Sequence, residues 1–216
     1  MTDRIFYNPA VRYPEEIDCL VLPNTILLPR GHVTLNLTDP WMIASVDQAL
    51  REDRMLGVVQ AQSTTAEGIF PSGTLGKITT FIEHSTDHYF IMLSGLCRFD
   101  IRQQLVQHKG YCRLLADYQR YRFDPFEEKI MLHDREKLLS LLNGYFRFQG
   151  LSADLEDFEH VSDEDLLMGL ILLCPLEPQE KQALLESPTA QTRCEIITAL
   201  MELAVLQQVD KGSARH

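Results

Sequence analysis

Residues 19–37 read Cys-Leu-Val-Leu-Pro-Asn-Thr-Ile-Leu-Leu-Pro-Arg-Gly-His-Val-Thr-Leu-Asn-Leu, and this stretch sets the character of the first half of the chain. It holds three brief apolar segments, starting at Cys19, Thr25 and Val33, cut by Pro23, Pro29 and Gly31. A proline has no N–H to give a strand ladder, so the spacing predicts short strands rather than long uninterrupted central ones. Just downstream, Asp39-Pro40 has the form of an N-cap followed by proline at the first helical position. Met42, Ile43, Val46 and Leu50 then follow at helical spacing up to the charged residues 51–54. Strand signals resume at Gly57, residues 61–72 read as a loop, and Gly73 opens a further strand. Residues 83–88 are polar turn material. Strands are expected from Tyr89, over 96–105 and over 111–122, the last two around a turn at 107–110, for about seven β segments in all.

Beyond Phe123 the periodicity becomes helical and glycine becomes rare, which places a boundary near Asp124 and divides the chain into 1–123 and 124–216. Residues 134–148 carry Leu138, Leu139, Leu141, Leu142, Tyr145 and Phe146 on one wide stripe, with Gly150 as a stop. Ser162-Asp-Glu-Asp resembles a capping box for a helix running to Cys174. Pro178 and Pro188 are placed as first residues of a short helix over 179–186 and a long one to about Gln208. The long helix has apolar residues over more than half its circumference, Leu203 among them, as a helix packed on several neighbours does. Residues 210–216 read as a frayed tail.

The composition, 45% hydrophobic and 24% charged over 216 residues, excludes a disordered chain. A chain this long buries roughly 70% of its unfolded surface and needs no disulfide or structural zinc. Cys19, Cys97, Cys112, Cys174 and Cys194 are odd in number and widely spaced, as reduced thiols of a cytoplasmic protein would be. No secretory signal is expected from the first residues. The longest apolar run, 166–176, is well short of the roughly 20 residues that span a bilayer. The net charge of −11 argues against a polyanionic partner. Its distribution is uneven: 12 Lys/Arg meet 13 Asp/Glu through Arg122, while 8 meet 18 from Phe123 onward, so nearly all the excess lies in the helical half.

No set of residues reads as catalytic. Residues 68–74 have the glycine spacing of a phosphate loop, but Thr74 stands where that loop needs lysine, and a strand follows instead of a helix N-terminus; the glycines are read as permitting a turn. His84, Asp87 and His88 place three metal-ligand types in one short loop, more simply read as a solvated turn. Cys97 stands beside Arg98, which would activate a thiol if the side chains met, yet strand neighbours point to opposite faces. No Gly-x-Ser-x-Gly elbow presents a serine nucleophile. The acidic residues of 154–165 read as helix-start and solubility chemistry. The expectation is therefore no catalytic residue, no cofactor and no bound metal.

Several segments, in order, resemble the Lon protease N-terminal (substrate-binding) domain family, which also occurs as a stand-alone bacterial protein. They are Leu22-Pro-Asn-Thr-Ile-Leu-Leu-Pro29-Arg-Gly31 with Leu35-Asn-Leu37, Gly73-Thr-Leu-Gly76-Lys-Ile78, Leu93-Ser-Gly95-Leu-Cys-Arg98-Phe99, and residues 175–186. The resemblance covers residues 18–206. Arg30 departs from it, standing where a glycine is expected, as does Thr38-Asp39, where an aromatic-acidic pair is common. The resemblance implies an α+β fold: a PUA-like six-stranded pseudobarrel with one inserted helix, then a helical bundle. It implies a non-enzymatic module binding unfolded or exposed apolar polypeptide in a groove between barrel and bundle, and carries over no catalytic residue, because the ATPase and peptidase modules of the full protease have no room here. Three other readings stay open. An RNA-binding barrel would show a basic face from Arg98, Arg102, Lys109, Arg113, Arg120 and Arg122. An adaptor would dock through its acidic half, and an enzyme or sensor would use His84, Asp87 and His88. Oligomeric state is not legible.

Overall fold

The computed structural model describes residues 13–62, 68–108, 110–126, 135–148, 161–174 and 176–213. Strand β1 (Glu16–Pro23) is buried along most of its length because it runs between two partners, parallel to β3 (Met55–Ala61) and antiparallel to β6 (Tyr111–Asp117). The remaining strands are β2 (His32–Leu37), β4 (Ile69–Ser85) and β5 (His88–His108). The sheet order is β2-β5-β4-β3-β1-β6, and an additional β5–β6 pairing closes five of the strands into a ring. One edge of β5 serves two strands in turn. Residues 89–94 pair with β2, and residues 100–108 pair with β6.

The expectation of short strands fails for β4 and β5, which span 17 and 21 residues. Tyr89 through Leu105, read as two strands, belongs to the single strand β5, so the described residues hold six strands. Register shifts explain how strands this long bend around a barrel. They fall between Leu75 and Gly76, Ile78 and Thr80, Ile101 and Gln103, and Gln104 and Val106, and each such irregularity kinks the chain without ending the ladder. The glycine pair is also corrected: Gly73 sits inside β4 rather than at a turn. A Cβ there would lie 2.5 Å from the Val58 carbonyl oxygen and 2.9 Å from the Phe99 ring, so the requirement is close approach to the two flanking strands, β3 and β5.

The third apolar segment of the opening stretch is a strand, but the second is not. Residues 25–29 form no strand and instead wedge between two cores. Leu27 joins the barrel cluster with Leu20, Leu56 and Leu93, whereas Ile26 and Leu28 join the helical cluster with Leu142, Leu167 and Leu184. Gly95 makes the wedge possible, since a Cβ there would stand 2.1 Å from the Leu28 carbonyl oxygen. Arg30, at the end of the wedge, has φ +64°, and this left-handed conformation costs an L-residue roughly 1–2 kcal/mol. Arg30→Gly is therefore expected to stabilise the protein by up to about 1 kcal/mol after the entropy of glycine is charged against the relief, read as a higher urea midpoint at unchanged slope.

Helix α1 (Pro40–Arg51) starts as its sequence predicts. Asp39 Oδ1 accepts from the Trp41 and Met42 amides at 2.9 and 3.3 Å, and Ile43, Val46 and Ala49 face the barrel cluster. After two 3₁₀ turns, Gln119–Tyr121 and Asp124–Phe126, come α2 (Arg135–Phe148), α3 (Asp163–Leu173), α4 (Pro178–Glu186) and α5 (Ala190–Ser213). Ser162 caps α3 through the Asp165 amide, and Glu177 and Glu180 form a capping box on α4. Two expectations for α5 need correction. Thr189 is its cap, accepting from the Thr192 amide at 3.0 Å, so Pro188 precedes the helix. The helix also continues through Ser213, past the expected fray. Ile197 and Met201 are buried in the helical cluster but Leu203 is 50% exposed, so α5 is not enclosed on all sides.

Candidate functional site

Where the barrel meets the helices, the contact is polar and closed. Arg98 of β5 is 2% exposed. Its backbone amide and Nε each donate to Asp124 Oδ2 at 2.9 Å, and its Nη2 donates to Oδ1 at 2.6 Å. Its Nη1 reaches the carbonyls at the C-terminal end of α4, Leu185 at 2.7 Å and Ser187 at 2.6 Å. The planar guanidinium fork suits this double task, holding a carboxylate with one edge and helix-end carbonyls with another. Alongside it, Gln182 Nε2 donates to Ser72 Oγ at 2.9 Å and to Glu186 Oε1 at 2.8 Å, Ser72 Oγ donates to Glu186 Oε1 at 2.7 Å, and Gln60 Nε2 donates to the Pro178 carbonyl at 2.7 Å. These contacts seat α4 on β3 and β4. Sequence reasoning missed Gln60, Ser72, Asp124 and Gln182 as a set. The available signal was Gln60 itself, a polar residue within the apolar run of β3.

At the same junction the surface opens into a groove of about 320 Å³ between β2, residues 24–26, α3 and α4. Its lining is mixed: polar Thr25, His32 and Thr34 stand beside the partly exposed Leu35 and the buried Ile26 and Ile171. Among the described residues Lys181 is its only Lys or Arg and no Asp or Glu lines it, although the chain carries a net charge of −11. Lys181 Nζ donates to the Asn24 carbonyl at 2.9 Å, and partial burial pulls its pKa below the usual lysine value. The rim strand β2 pairs only with β5 among the described strands. The Gly95 amide donates to the Gly31 carbonyl at 2.9 Å, which fixes the alternation along the ladder. Val33, Leu35 and Leu37 turn their main-chain groups to β5, and His32, Thr34 and Asn36 turn theirs outward.

A larger cavity, about 440 Å³, lies at the other end of the barrel against Tyr13, Tyr118, Phe126, Arg102 and Arg122, with Cys97 in its lining. Cys97 is not activated there. Burial, with help from the Asp124 carboxylate, pushes its thiol up to about 12 despite the neighbouring Arg98. All five cysteines are buried and free. The His84 and His88 rings lie with centroids 5.0 Å apart, tilted 39° to each other, while Asp87 accepts a hydrogen bond from Ser85. Among the described residues no group of three His, Cys, Asp or Glu side chains is gathered for a metal. Most of the basic residues considered for a nucleic-acid face are paired with carboxylates, although Arg102 and Arg122 line the same cavity. Arg98 is buried on Asp124, Arg113 pairs with Asp18 at 2.6 Å, Arg120 with Asp100 at 3.5 Å and Arg102 with Asp117 at 3.6 Å. Arg122 lies over the Phe123 ring. Lys109 and the acidic residues 154–160 lie outside the described residues.

Residues 16–202 match the sequence profile of the ATP-dependent protease La (LON) substrate-binding domain. The chain belongs to the LON substrate-binding domain family. Two proteases contain related sequence: Lon protease 2 of Myxococcus xanthus, 26% identical over 204 residues, and the Lon protease of Anaeromyxobacter dehalogenans (strain 2CP-C), 24% identical over 197 residues. Each alignment covers 87% of this chain but only 24% and 23% of the protease, so the chain spans about a quarter of the length of these relatives. The LON-domain fold is shared with a Lon N-terminal domain protein from Xanthomonas campestris, at a TM-score of 0.60 and 16% identity over 85% of this chain and 97% of that one. It is shared equally with the N-terminal domain of the Mycobacterium avium complex Lon protease, at 0.59 and 15% over 87% and 98%. The α+β, PUA-like pseudobarrel with one inserted helix and a helical C-terminal part is thus the architecture of LON N-terminal domains. No described helix is long and apolar enough to cross a membrane.

Proposed function

We propose that this chain is a non-enzymatic, cytoplasmic binding module that recognises unfolded or exposed apolar polypeptide. The observation that carries the reading is its membership, over residues 16–202, in a family defined by substrate binding in an ATP-dependent protease. The groove beside β2 supports it physically, because a strand edge with no further partner among the described strands, set beside a groove of mixed polar and apolar lining, suits an extended chain better than a compact ligand. Reduced, buried cysteines suit the compartment. The pairing of four arginines with carboxylates disfavours the RNA-binding reading, since counterion release needs cations left for phosphates.

The test is fluorescence anisotropy of a labelled, permanently unfolded polypeptide titrated with the protein, beside its folded parent and a labelled RNA oligomer, at two salt concentrations. Saturable binding of the unfolded chain alone is expected. Salt-sensitive RNA binding would replace this reading with a nucleic-acid module, and binding of neither would turn attention to a dedicated protein partner.

A further inference from the structure

We propose that the outer edge of β2 is a strand-addition site: an extended peptide pairs with His32, Thr34 and Asn36, lays a side chain beside Leu35, and turns a carboxylate toward Lys181. This rests on the polypeptide-binding reading and specifies its site, geometry and preferred sequence. Three observations converge on it. The alternation set by the Gly95 to Gly31 hydrogen bond leaves the amides and carbonyls of residues 32, 34 and 36 pointing away from the sheet, with no backbone partner among the described residues. Such a row templates a further strand and supplies affinity that does not depend on the incoming side chains. The groove of about 320 Å³ runs directly along this edge at residues 32–35, so side chains of the added strand that point toward the helices have somewhere to go.

Charge selects among extended peptides. In a chain of net charge −11, the described residues that line the groove include one lysine and no carboxylate. Lys181 uses one of its three ammonium donors on the Asn24 carbonyl, and a carboxylate entering the groove would meet the others. The occupant is therefore an extended segment bearing an Asp or Glu side chain opposite Lys181, and not a basic one.

The edge geometry offers a test that spares the fold. Thr34→Pro removes an outward N–H that the β2–β5 ladder does not use, and proline is tolerated where an edge N–H faces away from its sheet. The probe is a fluorescein-labelled peptide of alternating Val and Thr with one central Glu, measured beside the unfolded polypeptide used above. Thr34→Pro is expected to weaken binding of this peptide at least tenfold while the melting temperature stays within a few degrees of wild type. N-methylation of alternate peptide amides should have the same effect on the unaltered protein, which keeps the test valid if the proline variant fails to fold. Replacing the peptide Glu by Gln should weaken binding severalfold in wild type and not at all in Lys181→Met. Unchanged affinity in Thr34→Pro, or with the N-methylated peptide, would overturn strand addition. If the unfolded polypeptide still binds in that case, only the site is wrong; if it never binds wild type, the functional reading itself fails. A dimer of the unliganded protein that Thr34→Pro disperses would also overturn the proposal, by assigning the edge to a second copy of the chain.

Discussion

Asp124→Ala is expected to destabilise the protein by about 3–5 kcal/mol, because it removes one partner of a buried ion pair and leaves the other uncompensated. Arg98 would keep its carbonyl contacts at Leu185 and Ser187 but lose all three hydrogen bonds that Asp124 accepts, one of them from its own backbone amide. The pair itself is not expected to contribute anything close to that figure, since desolvating both charges offsets most of their attraction. An Arg98→Met, Asp124→Leu double variant should therefore recover much of the loss. Urea denaturation of the two variants and wild type checks both statements. A single-variant cost below about 1 kcal/mol would mean that water reaches Arg98 and that the seam is not closed as described. Hydrogen exchange adds a spatial check: the amides of α4 should lose protection in Asp124→Ala before those of β1 and β3 do, because α4 is seated on the barrel through this network.

The second large effect is expected at two neighbouring leucines with opposite destinations. Leu27→Ala and Leu28→Ala should each cost about 2–5 kcal/mol, the usual range for deleting a fully buried leucine side chain. Leu27 is 2% exposed in the barrel cluster and Leu28 is 1% exposed in the helical cluster. The magnitudes should be alike, but the losses of exchange protection should separate. Leu27→Ala should open β3 and β5 near Leu56 and Leu93, and Leu28→Ala should open α2 and α3 near Leu142 and Leu167. The same pattern of loss in both variants would show that residues 24–31 do not divide their apolar contacts between two cores.

These two positions also mark how far the sequence is legible. Residues 39–51 read correctly as a capped helix because the signals are local: Asp39 bonds to amides two and three residues away, and proline at the first helical turn gives up an N–H that has no partner there. The start of α3 at Ser162 was legible for the same reason. Residues 25–29 misled because a short apolar run between prolines satisfies a strand pattern equally well when its side chains alternate between two different cores. Strands β4 and β5 misled in the opposite sense. Polar and glycine positions that mark strand ends in a flat sheet here accompany bulges, and a barrel tolerates them without ending the ladder.

The site was less legible than the fold. The candidate loop of His84, Asp87 and His88 was visible because its residues are adjacent, yet Asp87 accepts from Ser85. Arg98 was counted among exposed basic residues, since nothing local to Cys97-Arg98-Phe99 reveals a carboxylate 26 positions away or carbonyls 87 and 89 positions away. The groove has the same origin, for Asn24, Thr34, Ile171 and Lys181 come together only after the barrel has closed and α4 has docked. Strand and helix patterning thus determined, from sequence alone, the β-then-α organisation, and the ordered Gly/Pro segments carried the resemblance to the family, because those signals act over a few residues or survive as a linear pattern. Which arginine is buried, which leucine enters which core and which strand edge stays open were decided by tertiary structure, because each depends on contacts whose partners are distant in the chain and whose cost or benefit arises only when water is excluded between them.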